Sequence, residues 1–425
     1  MSVFAKAPAS RSRTLKAVLS GIAVVGASAL VLSGCAATTP EEKPAGPRED
    51  LTLKIGTMLP KTGSLDFLGP PEIAGVGLAA ADINEADLGI TIEVTYGDSG
   101  DTENKAYETE VPRVLNEGVS AIIGAAASGV SKLFIDQVTG AGVVQLSPAN
   151  TSVDFTNWDD DGLFWRTAPS DVLQGEVLGN LVGADGIKNL AIINREDSYG
   201  TGLGAQAKSA FEATGGTVVS EQSYKETDKD YSAQVSATLA AKPEAIALIA
   251  FVETKTILPL LSQAGFDMSK VYLVDGNLAN YPEFNFSLEG SKGTLPGLDT
   301  AKLGDFTDRL QEFWKGEGNE ELKEYSYAAE SYDAVVLLAL AALAANSTDG
   351  KDIAAKLQEV SGGSGDGKKA EDFQSAAQII LDGGVADYDG LSGPITFDEN
   401  GDPTEATIGV YQYQKDNTFK RIGDG

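Results

Sequence analysis

The chain has 425 residues, 42% of them hydrophobic, with 62 Asp+Glu against 32 Lys+Arg and a formal charge of −30. That much apolar material can bury a large core, which excludes an acidic disordered protein, and so acidic a surface repels nucleic acid and anionic lipid headgroups. With no histidine and a single cysteine, Ser-His-Asp and Cys-His catalysis, His-ligated zinc and an internal disulfide are all excluded.

The first 34 residues carry Lys6, Arg11, Arg13 and Lys16, no acidic residue, and an apolar run from Ala17 to Leu32. A basic start, a short apolar run and small residues before a cut describe a secretory signal. The run falls short of the about 20 apolar residues that span a bilayer. It closes on Leu32-Ser33-Gly34-Cys35, which resembles the lipobox of bacterial lipoproteins, where the thiol is acylated and the cysteine becomes the new N-terminus. The expectation is lipidation of Cys35 and a mature chain outside the cytoplasm, held to the cell membrane by its anchor. An ordinary signal peptide with an incidental cysteine is the plainer alternative. Residues 36–50 hold Pro40, Pro44 and Pro47 among charged and small residues and read as an extended tether.

From Leu51 the pattern becomes strand, loop and helix in alternation. LTLKIGTML and ITIEVTY alternate as strands, with helical spacing over Pro71–Ala86 between them. Thr102–Glu117 reads as a helix that Pro112 should kink or restart. The strand SAIIG, a helix from Ser128 to Thr139 and the strand VVQL follow. A second run starts near Val172: a helix to Val182, then LAIIN, a helix from Tyr199 to Thr214, VVSEQ, a helix over Tyr231–Ala240, AIALIA, a helix containing Pro259, and VYLVD. Helices then dominate at Asp305–Lys315, Ser326–Ala345, Asp352–Val360 and Asp372–Leu381. The Gly-rich stretch Gly362–Lys369 reads as a surface loop, and ITF, ATIGVYQYQ and FKRI return to strand. Alternation of this kind makes parallel sheets covered by helices, here two α/β lobes in series.

Two motifs fail on inspection. Gly362-x4-Gly367-Lys368 imitates a phosphate loop, but Lys369 stands where Ser or Thr would reach magnesium, and a helix rather than a strand precedes it. Asn157-x-Asp159-x-Asp161-Gly162 imitates a calcium loop, but its twelfth position is Ala168 instead of a bidentate Glu. No cofactor, metal or catalytic residue is assigned.

In open α/β sheets ligands bind beyond the carboxyl ends of strands. The loops there carry Pro60–Gly69, Ser128 at a helix start, Ser147–Thr151, Tyr199-Gly200, Phe251–Glu253 and Asp275-Gly276. Each has a dull reading: Ser128 as an N-cap, Thr151 as a turn residue, Tyr199 as a packed aromatic, Asp275 as a wet acid. Their joint position on two facing lobes favours a site.

The segments PKTGSLDFLG, AADINEA, IIGAAASGVS, VVQLSPANTS, FWRTAPSD, NREDSYGTG, YLVDG and ESYDAVVLLALA resemble, in order and spacing over residues 51–422, the branched-chain amino-acid-binding proteins. These are type I solute-binding proteins that deliver substrates to ABC importers. The resemblance implies two α/β lobes joined by a three-crossover hinge, with lobe one at 51–168 and 298–396 and lobe two at 169–297 and 397–425, after a signal peptide at 1–34 and a tether at 35–50. It implies that Ser128, Ala149 (through its backbone) and Thr151 hold a ligand's α-carboxylate and α-amine. Tyr199 would close over the ligand, Asp275 would stand in for the family's ammonium-pairing acid, and Leu68 would wall the pocket. The second lobe-two tyrosine of the family is missing around Phe251–Glu253, which leaves Phe251 in its place and amides or other amino-acid-like solutes open. A monomeric importer subunit working with ABC permease subunits is the first expectation, and a ligand sensor feeding a membrane receptor or kinase the second.

Overall fold

The computed structural model describes residues 49–299 and 302–425; the signal segment, Cys35 and most of the tether lie outside the described residues. The first sheet holds β1 (Leu51–Leu59), β2 (Ile90–Asp98), β3 (Ala121–Gly124), β4 (Val144–Ser147) and β5 (Phe164–Arg166). They are parallel, in the order β2-β1-β3-β4-β5. Between them run α1 (Gly69–Ala86), α2 (Tyr107–Asn116), α3 (Ser128–Ser131) and α4 (Ile135–Gly140).

The next stretch carries α5 (Asp171–Ala184), β6 (Asn189–Arg195), α6 (Ser198–Ala213), β7 (Thr217–Tyr224), α7 (Ser232–Ala240), β8 (Ala245–Ile249), α8 (Thr254–Gln263), β9 (Val271–Leu273) and β10 (Lys292–Pro296). Then come α9 (Phe306–Gly316), α10 (Ala328–Ala345), α11 (Gly350–Val360), β11 (Lys368–Ala370), α12 (Phe373–Leu381), β12 (Ala386–Gly390) and β13 (Gly393–Pro394). The chain closes with β14 (Ile408–Tyr413) and β15 (Phe419–Asp424). The second sheet has the order β15-β14-β10-β9-β8-β6-β7, parallel except for the pairs that β14 makes with β10 and β15. The expected α/β fold of two parallel-dominated lobes is the one observed.

Pattern explains position. β3 (AIIG) and β8 (AIALI) are buried at every residue, as central strands covered on both faces must be. The helix α10 is apolar on all sides and packs against α1, α11 and α12. By length and composition it could cross a membrane, but its side chains are buried in the core of the first lobe.

The chain passes between the sheets at residues 167–170, after Pro296 and before Ile408. Phe397 still belongs to the first core, edge-on to Trp165 with ring centroids 5.1 Å apart. Arg166 is fully buried beside the first of these connections and bonds Asp402 in the last through Nε (2.6 Å) and Nη2 (2.8 Å). Its Nη1 donates to Ser152 O at 2.7 Å. One guanidinium thus ties two connections and the loop after β4 together.

Four local expectations need correction. The helix expected over Ser128–Thr139 breaks in two, because the Ser131 hydroxyl accepts from Ala125 N (2.9 Å) and Phe134 turns out of helical geometry (φ −135°) to bury its ring near Tyr107. α2 starts at Tyr107, since the Asp101 and Asn104 side chains hold residues 101–106 in a turn, and it continues through Pro112 without restarting. Lys368–Ala370 is a strand, not part of a loop, and pairs with β12. ITF forms no strand; Phe397 makes one isolated bridge to Pro403.

Candidate functional site

The carboxyl ends of the strands in both sheets meet at one narrow cavity of about 10 Å³. From the first lobe it is lined by Leu65 and Leu68, by Ala126 and Ser128 after β3, and by Ala149 after β4; from the second by Tyr199, Phe251, Asp275 and Gly276. The remaining wall is Tyr327, the residue before α10. Six of the residues picked out in the sequence therefore surround one space: Leu68, Ser128, Ala149, Tyr199, Phe251 and Asp275. Thr151 does not line it. Its backbone carbonyl accepts from Asp171 N at 2.7 Å, and its buried hydroxyl has no hydrogen-bond partner.

Asp275 is the chemical centre. It is 5% exposed, and its carboxylate accepts from the Tyr199 hydroxyl (2.6 Å) and Gln174 Nε2 (3.0 Å) on Oδ1, and from the Tyr327 hydroxyl (2.8 Å) on Oδ2. Burial pushes the carboxyl up from its ordinary value, against the pull of these three donors. The Gly276 amide pulls in the same direction as these donors. Gly276 belongs where it is, since a Cβ there would come within 2.6 Å of the Phe251 ring. Phe251 stacks on Tyr199 with centroids 5.2 Å apart.

A second acid stands close by. Asp171, the first residue of α5, is fully buried, and neither carboxylate oxygen has a hydrogen-bond partner. Burial and then the charge of Asp275 push its carboxyl well above the usual range, with Asp197 adding to this and Thr151 and Arg166 opposing it.

Both nearby arginines are already committed. Arg166 pairs with Asp402. Arg195 is ringed by Asp197 (2.6 Å), Glu226 (2.8 Å) and Glu253 (3.2 Å), with its guanidinium carbon 3.7 Å from the Phe251 ring centroid. Neither has charge to spare, so the cavity is acidic on the Asp275 side and neutral on the Ser128 side. At the mouth, Lys229 Nζ meets Glu103 Oε2 at 2.5 Å and the Thr102 hydroxyl bonds Glu226, both between the lobes. Inside, the Ser152 hydroxyl donates to Ser198 O at 3.1 Å. The lobes are shut.

Sequence reasoning missed Gln174, Tyr327 and Asp171. Asp171 lies within the quoted RTAPSD, where it reads as an ordinary first-turn acid favoured by the helix dipole. Tyr327 follows no strand, and no signal marks it.

A model of the periplasmic binding protein family matches residues 52–418. A Leu-, Ile-, Val-, Thr- and Ala-binding protein of Pseudomonas aeruginosa is 25% identical over 377 residues, covering 87% of this chain and 92% of its own. Among solved structures, a leucine-binding protein from Thermotoga maritima superposes with a TM-score of 0.70 at 23% identity, over 88% of this chain and 98% of its own. An ABC-transporter solute-binding protein from R. palustris in complex with benzoate gives 0.67 at 16%, over 88% and 96%. With two α/β lobes, a cavity between them and a family match over nearly the whole described chain, the protein belongs to the periplasmic binding protein family, beside the Leu/Ile/Val-binding proteins of type I.

Proposed function

We propose that the protein is the lipid-anchored, extracytoplasmic receptor of an ABC importer, and that it closes on a small aliphatic amino acid and hands it to the permease. One observation carries this reading: a buried acid, Asp275, faces Ser128 and Ala149 across a cavity that has no free cation. A zwitterion entering such a space loses water at both charges and needs a partner for each. Asp275 suits the ammonium. The Ser128 hydroxyl suits the carboxylate. A benzoate, the ligand of the R. palustris protein, would bring a second negative charge to Asp275 with nothing to offset it.

The walls favour a short aliphatic side chain, because Leu65, Leu68, Phe251 and the Tyr327 ring present apolar surface. The shut space of about 10 Å³ holds no more than about one water, so the lobes must part to admit a ligand. In a thermal-shift screen, valine-sized amino acids should raise the melting temperature, because a ligand that binds only the native state stabilises it by mass action. Benzoate should leave it unchanged. Stabilisation by benzoate and not by any amino acid would overturn this assignment.

Two further tests concern the anchor and the hinge. Cys35→Ser should abolish lipid labelling and release the protein from membranes; undiminished labelling would place the anchor elsewhere. A ligand that touches both lobes favours closure by its differential affinity. X-ray scattering should then give a smaller radius of gyration for the saturated protein than for the empty one, and an equal radius would refute ligand-driven closure.

A further inference from the structure

Tyr327 borders a second cavity, of about 200 Å³, at the hinge. Leu295, Tyr411 and Phe419 wall it from the second lobe, and Glu324, before α10, and Glu330, in the first turn of α10, line it from the other side. Glu330 is 5% exposed, and among the described residues no other one donates a hydrogen bond to its carboxylate, whose partner is its own amide. Gly297 makes room for it, since a Cβ there would lie 2.6 Å from Glu330 Oε1. Glu324 accepts only from Asn280, through N (3.4 Å) and Nδ2 (3.2 Å). Arg421, which bonds two residues of the cavity wall, is committed to Gly297 O and the Tyr411 hydroxyl (3.1 Å each) and to Asp424. A buried acid and a half-buried one thus share an aromatic-walled space that no Lys or Arg among the described residues lines.

We propose that this hinge cavity binds a small alkylammonium ion, with its charge between Glu324 and Glu330 and its carbon chain against Leu295, Tyr411 and Phe419. Buried acids need a cation or must stay protonated, and aromatic faces attract an ammonium further. Because both lobes and the connection between them build the cavity, its occupant adds to whatever holds the lobes together. The site is independent of the amino-acid reading of the cleft.

Titration gives it a signature. Burial raises the Glu324 carboxyl to about 7 and that of Glu330 to about 8. Asp333, Glu72, Tyr327 and Tyr411 face Glu330, and Tyr281 and Tyr413 face Glu324; all are acids or phenols. Both carboxyls are protonated at about pH 6 and ionised at about pH 9, where an alkylammonium keeps its charge. Binding should therefore tighten as the pH rises.

Calorimetric titration of the full chain with butylammonium chloride tests this. Wild type and Asp275→Asn should bind alike, with affinity rising roughly tenfold or more from about pH 6 to about pH 9. Glu330→Gln and Glu324→Gln should each weaken binding by about tenfold or more. Failure of wild type to bind would overturn the proposal. So would binding that disappears in Asp275→Asn yet survives in both glutamine variants, because the cation would then sit in the cleft.

Discussion

Asp275→Ala is expected to lose at least about tenfold in affinity for an amino acid, and up to about a thousandfold, while the protein still folds. Removing one member of a buried, hydrogen-bonded charge pair costs roughly 2–5 kcal/mol. A micromolar site, worth about 8 kcal/mol, then falls toward the millimolar range. The substitution also frees the Tyr199 and Tyr327 hydroxyls and Gln174 Nε2, which all donate to this carboxylate. Asp275→Asn keeps the shape and removes the charge, so it should reproduce most of the loss. Ligands without an amine should be much less affected. The pH dependence has a definite sign: the carboxyl sits above its ordinary value, so amino-acid binding should weaken as pH falls through a range higher than that of an exposed aspartate. Wild-type affinity for an amino acid in Asp275→Ala would remove this residue from the site.

The second large effect concerns stability. Arg166→Met should destabilise the protein by about 3–5 kcal/mol, because it leaves Asp402 largely buried without its partner. The same change unpairs the Ser152 carbonyl and loosens two connections between the lobes at once. Urea denaturation should show a clear fall in midpoint. The double variant Arg166→Met with Asp402→Leu should recover much of the loss, since well-packed apolar residues can replace a buried ion pair. A single variant as stable as wild type would mean that water or another side chain solvates Asp402.

Much of the architecture was legible because central parallel strands are continuous apolar runs: SAIIG and AIALIA could be little else. The strands that escaped are the short ones. β5 is three residues, FWR, after an acidic turn, and β10, KGTLP, carries a glycine and a proline; their pairing comes from neighbours in space. The site divides the same way. Ser128, Tyr199 and Asp275 follow strands, so sheet geometry alone leads to them. Tyr327 reaches Asp275 from 52 residues away, out of a left-handed backbone position (φ 61°), and no periodicity encodes such a contact. Thr151 shows the opposite limit: the SPANTS segment brings Ala149 to the cavity, but the turn directs Thr151 to Asp171 instead.

The three donors on Asp275 have a consequence for how the empty protein behaves. Tyr199, Gln174 and Tyr327 already solvate the acid inside the shut cleft, so shutting without cargo does not strand a bare charge. Closing without cargo thus costs less than it would around a bare acid, and a ligand tilts the balance only by what it adds beyond those donors. A partner that read closure alone would then be a poorer judge of cargo than one that also sensed what fills the space beside Asp275.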